Sequence, residues 1–147
     1  MILDVQAEFS DSQVVTATAL STNVYDQAPL TKTTTRDLGS GADSYLVLQV
    51  DTAAAAAGAA TVTVTLESAD NAGMTSSTVH ATYGPFSLAQ LAAGTTLGAF
   101  PLPYGDFKRY VALRYTVATG PLTAGALSAF ITNNPQVYKA YARNYTV

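Results

Sequence analysis

The chain has 147 residues, enough for one domain that buries roughly two-thirds of its unfolded surface. It carries no cysteine and one histidine, which excludes a disulfide framework and, in effect, a structural zinc site. Charged residues make up 12% of the chain, against about 25% in an average soluble domain, and the net charge is −3, so the few scattered basic residues leave no footprint for nucleic acid.

The predicted elements are short and extended. Residues 1–11 form an N-terminal segment with Ile2, Leu3, Val5 and Phe9 among the acids Asp4, Glu8 and Asp11. Residues 14–20, rich in valine and threonine, read as a strand, and 24–26 as a shorter one. Residues 31–35 are a polar loop. Residues 45–50 are a compact apolar run bounded by Gly39, Gly41 and Asp51. The alanines at 53–57 are too few to nucleate a helix in water and read as a loop or strand flank. Over 60–67 the alternation is regular: Val62, Val64 and Leu66 pack, while Thr61, Thr63, Thr65 and Glu67 face water. Strands follow at 78–83 and 97–100, separated by a helical turn or two at 87–91, where Ser87 caps and Gln90 stands at the capping-box position. Residues 110–117 alternate again. Ala118-Thr119-Gly120-Pro121 breaks that strand, and 125–131 resumes it as the second member of an antiparallel pair. About eight strands, no long helical period and no fixed repeat predict an all-β antiparallel sandwich or barrel.

Chemistry is hard to assemble from these residues. His80 lies in an alternating segment and reads as a surface strand position. No Gly-x-Ser-x-Gly elbow accompanies the serines. Neither Asp4, Glu8 and Asp11 nor Glu67 and Asp70, which flank a turn with Asn71 and Gly73, has the spacing of a calcium loop, and turn formation or surface solvation is their expected role. No catalytic residue, cofactor or metal site is expected. No stretch reaches the ~18 apolar residues of a membrane span, and the opening MILDVQAEFSD has neither the basic lead nor the apolar run of a secretory signal. Production in the cytoplasm is therefore expected, and the acceptor pattern Asn144-Tyr145-Thr146 is read as coincidence.

Two features suggest association instead. Low charge on a threonine-, serine- and alanine-rich chain weakens repulsion between neighbouring molecules. After Pro135 a C-terminal arm, residues 135–147, interleaves Tyr138, Tyr141 and Tyr145 with Lys139 and Arg143, the residue types that anchor interfaces. The arm either folds back on its own domain (1–134) or reaches a partner. Phe9 and these five residues are the candidate interface set.

The runs LDVQAEFSDSQVVTATALSTNVYD, RDLGSGADSYLVLQV and LRYTVATGPLTAGALSAFI, in that order, resemble the cement, or decoration, proteins of tailed-bacteriophage capsids. The likeness spans most of the chain and departs from the family in residues 31–35, 53–57 and the tyrosine-rich end. It implies a jelly-roll sandwich with at most one short helix, placed on the outer surface of an HK97-like shell. It implies a structural virion protein, made in the host bacterial cytoplasm, that bridges neighbouring capsomers. Its implied partners are the major capsid protein and further copies of itself, a homodimer being favoured over a homotrimer. It brings no catalytic motif. A carbohydrate-binding sandwich of tail-fibre or lectin type, stacking glycans on Tyr83, Tyr104 or Tyr110, is the alternative, and a hydrolase built around His80 is a further rival.

Overall fold

The computed structural model describes residues 5–27, 38 and 44–135. A 3-10 turn, Val5–Ala7, leads into nine strands: β1 Glu8–Val14, β2 Ala19–Leu20, β3 Tyr25–Asp26, β4 Tyr45–Ala55, β5 Thr61–Ala69, β6 Thr78–Ser87, β7 Thr96–Pro101, β8 Tyr110–Ala118 and β9 Ala124–Thr132. They form two antiparallel sheets. One has the order β1-β9-β4-β7, the other β2-β8-β5-β6, with β3 also paired to β8.

Since β2 and β3 both lie along β8, they count as one interrupted strand, which leaves eight. The first then pairs with the eighth, the second with the seventh, the third with the sixth and the fourth with the fifth. That is one long hairpin with its apex between β5 and β6, rolled across two sheets: a jelly roll.

Two expectations fail where the chain changes sheets. Residues 14–20 are not one strand: β1 ends at Val14, and the chain crosses to the other sheet before β2. Likewise β8 and β9 do not pair with each other but lie in opposite sheets. Because β1 pairs with β9 and β2 with β8, both crossings fall at the same corner. There Val15 N–H donates to Gly125 O (3.0 Å) and Leu122 N–H to Thr16 O (3.0 Å), so each crossing satisfies the other's backbone. Thr119 and Gly120, with φ of 65° and 106°, turn the second chain into this corner.

The regular alternations behave as expected. β5 and β8 pair over nine positions without a register shift, with Val64 opposite Tyr115 and Leu66 opposite Leu113. These residues face Leu46, Leu48, Val50, Leu127 and Ala129 of the other sheet in one core cluster. Each such aliphatic side chain contributes about 1.5–3 kcal/mol on full burial. β4 runs on through Ala53 to Ala55 because β9 supplies a partner as far as Ala124, so that part of the alanine tract is a strand. The turn after Ser87 does not become a helix, but Gln90 Oε1 accepts Ser87 N–H (2.9 Å), as the capping-box spacing predicts.

One polar seam crosses the core. Ser10 Oγ donates to Gln13 Oε1 (2.8 Å), so its 2.8 Å bond with Tyr115 OH must be one that it accepts. The bond joins β1 of one sheet to β8 of the other. Burial pushes the Tyr115 phenol up to about 12, despite the Ser10 bond, and keeps it a donor. Gln13 passes the connection on, accepting Thr22 N–H and donating to Leu20 O.

Candidate interaction surface

The expected interface set divides sharply. Phe9 is 1% exposed and packs in the core, so the structure corrects that assignment. β1 turns the ring inward, and a side chain without free surface has nothing to offer a partner. Tyr138, Lys139, Tyr141, Arg143 and Tyr145 lie outside the described residues, as does the arm beyond Pro135.

The outer face of the β5–β8 sheet is less wet than its alternation suggested. Residues 70–77, between β5 and β6, fold back over it, and Met74 packs against Ala69 and Ala112 in a satellite cluster beside Leu20, Val24 and Tyr110. Glu67, expected in water, is 3% exposed. Arg114 on β8 meets it with Nε at 2.9 Å from Oε1 and Nη2 at 3.0 Å from Oε2. Ser77 and Thr65 each donate a hydroxyl at 2.7 Å. Burial alone would raise the Glu67 pKa, but the hydrogen bonds from Arg114, Ser77 and Thr65 and the Arg114 charge outweigh it, and the carboxyl is held below its usual range. The cluster pins the 70–77 loop and consumes its own charge. Asp70 pairs with Lys108 at 2.9 Å, and Asn71 binds both backbone groups of Thr75, the turn role expected of it.

On β6 the structure brings together residues that sequence reading left apart. Val79 is opposite Glu67 and Ala81 is opposite Leu66, so His80 is the extra residue of a β-bulge. Its ring stacks on Phe107, with centroids 3.9 Å apart and planes at 14°, and its Nε2 lies 2.6 Å from Ser68 Oγ. Ser68 is fully buried, and its Oγ also accepts the backbone N–H of Lys108 (3.0 Å). His80 is thus half-buried and engaged, not simply a surface strand residue, and burial lowers its pKa. A Ser–His pair at this distance invites a nucleophile reading, but Ser68 Oγ has no path to a substrate.

Of the tyrosines considered as glycan platforms, two are occupied. Tyr83 stacks on Phe100 (4.4 Å) with its hydroxyl buried, and Arg109, held by Asp26 through two 2.9 Å bonds, lies over the Tyr110 ring. Tyr104, 86% exposed in the β7–β8 loop, presents its ring outward. Val79, 52% exposed, is on the neighbouring strand, next to the His80 that faces Gly105. The outer edge of β6 is interrupted by two register shifts and by Pro85, which lacks a backbone donor. At the same place Gly84 has φ of 98°, and a Cβ there would lie 3.0 Å from Val62 O.

An apolar void of about 10 Å³ under Val15, Val62, Leu91 and Leu122 is too small and too dry to hold a ligand. Among the described residues no three acidic or histidine side chains gather as a metal site, and no helix is long and apolar enough to cross a membrane. The surface partnerships had little sequence signal, because Arg114 reaches Glu67 and Ser68 reaches His80 only through strand pairings that local patterns do not fix.

The comparison with curated proteins finds no match. The Bbp16 family model matches residues 9–131, from the second residue of β1 to the last but one of β9, and so spans the jelly roll. The chain belongs to the Bbp16 family.

Proposed function

We propose that the protein is a capsid cement subunit: a jelly roll that sits on the outside of a tailed-phage shell, binds the major capsid protein and bridges neighbouring capsomers. The likeness of its three quoted runs to phage decoration proteins carries this reading, and the jelly-roll strand order that the likeness implies is the order found. Low charge and a core closed to ligands agree with a part whose work is contact. Bridging adds binding energy that exists only while the lattice is intact. A symmetric oligomer, a homodimer in preference to a homotrimer, engages several capsid subunits at once, so modest contacts add through effective concentration. The test is co-sedimentation of the purified chain with expanded heads and with unexpanded ones. Binding to expanded heads alone is expected, and no binding to either overturns the proposal.

One observation favours a second reading. The freely presented ring of Tyr104 could stack on a sugar, as in a carbohydrate-binding module. A glycan array probed at high protein concentration separates the two, since the cement reading expects no hits.

A further inference from the structure

The β7–β8 loop, residues 102–109, is held by Gln27, whose side chain donates to Lys108 O (2.7 Å) and whose backbone N–H donates to Arg109 O (2.9 Å), and by two contacts that meet at one hydroxyl, that of Ser68. The Ser68 hydroxyl has a single hydrogen and accepts the Lys108 N–H. The hydroxyl is fully buried, and donating its hydrogen across the 2.6 Å bond to His80 is the arrangement that pairs it, so Nε2 carries the lone pair. The imidazole stacked on Phe107 is thus held neutral. Adding a proton to Nε2 would leave Ser68 accepting twice, with its own hydrogen buried and lacking an acceptor. Rotating the Ser68 side chain relieves this, and rotation gives up Lys108.

We propose that His80 is a pH-sensitive clamp on the 102–109 loop: neutral, it holds the loop through Ser68 and Phe107; protonated, it gives up the Lys108 N–H and loosens the loop that displays Tyr104.

Among the described residues, the surrounding charges do not replace the missing acceptor. Glu67 on β5 is engaged by Arg114, and Asp70, which follows β5, pairs with Lys108. Within the loop Arg109 pairs with Asp26, and Asp106 and Tyr104 are exposed. On β6 itself, Tyr83 turns away to stack on Phe100. Burial lowers the His80 pKa. The folded chain therefore takes up its proton less readily than the unfolded chain, and the clamp holds above the ordinary imidazole value of 6.5 and weakens as pH falls below it.

Because His80 is the only histidine, its imidazole resonances are unambiguous in an NMR titration of the full chain. The Lys108 amide is expected to shift with the His80 midpoint. Its exchange rate, corrected for intrinsic pH dependence, should rise roughly tenfold per pH unit on the approach to that midpoint and level off below it. Ser68→Ala should move the His80 midpoint back toward the ordinary value and abolish Lys108 protection at every pH. His80→Gln should remove the midpoint from the loop. A Lys108 amide that ignores the His80 titration in the wild-type protein overturns the clamp, as does a loop transition that persists in His80→Gln.

Discussion

Two serines with no exposed surface, Ser10 and Ser68, are used in the same way and differ in one partner. Each accepts one hydrogen bond and donates one: Ser10 accepts from Tyr115 and donates to Gln13, while Ser68 accepts from Lys108 N–H and donates to His80. The seam at Ser10 joins the two sheets through a phenol that burial holds near 12 and an amide that does not titrate, so it keeps its bonds across the working pH range. The tie at Ser68 ends on an imidazole that burial makes harder to protonate, so its bond weakens as pH falls below the ordinary imidazole value of 6.5. A buried hydroxyl is thus a permanent fastener or a releasable one according to the acidity of its neighbour. The fold places the permanent one between the sheets and the releasable one on a surface loop.

Replacement of Tyr115 by alanine should have the largest effect, because the ring's volume and the Ser10 bond are lost together. A loss of about 3–5 kcal/mol is expected in urea unfolding. Glu67→Ala comes next, at roughly 2–3 kcal/mol, toward the lower end for a broken buried pair because Arg114 keeps about a third of its surface in water. The Glu67 carboxyl is depressed in the folded state, so its contribution is present above the ordinary carboxylate pKa and is lost as pH falls through the folded value. The unfolding midpoint of Glu67→Ala should therefore depend less on acid than that of the wild type. Ser10→Ala and Ser68→Ala should each cost about 1–3 kcal/mol near neutral pH. They should part on acidification: the Ser10→Ala penalty stays constant between pH 8 and about 5.5, while that of Ser68→Ala shrinks because the wild type is itself losing the bond. Equal pH dependence in the two variants would erase the distinction. The smallest effect belongs to Tyr115→Phe, about 0.5–1.5 kcal/mol, because Ser10 still has Gln13 to donate to.

How much could be read beforehand follows the reach of each interaction. The alternations of Val62, Val64 and Leu66 and of Val111, Leu113 and Tyr115 specified strands and their buried faces, because period two is a local signal. The corner at residues 15–18 is invisible in the sequence, since valine and threonine run straight through it with no proline or glycine, and only the placement of β1 and β2 in opposite sheets breaks the strand. The same blindness joined β8 to β9: a proline-containing break looks alike whether the chain returns to its own sheet or crosses to the other. The alternation of its strand places Glu67 in water, and it is buried because a loop eight residues long folds over it. Phe9 illustrates the reverse error, an aromatic near a terminus taken as an anchor when β1 delivers it to the core. The His80–Ser68 tie needed the β5–β6 register and the bulge, which no local pattern contains.

The most direct test of the cement reading is a density map of expanded heads incubated with the purified chain. An added jelly roll is expected on the outer surface, at the junctions between capsomers, in contact with more than one capsid subunit. Heads whose map is unchanged at saturating protein would contradict it.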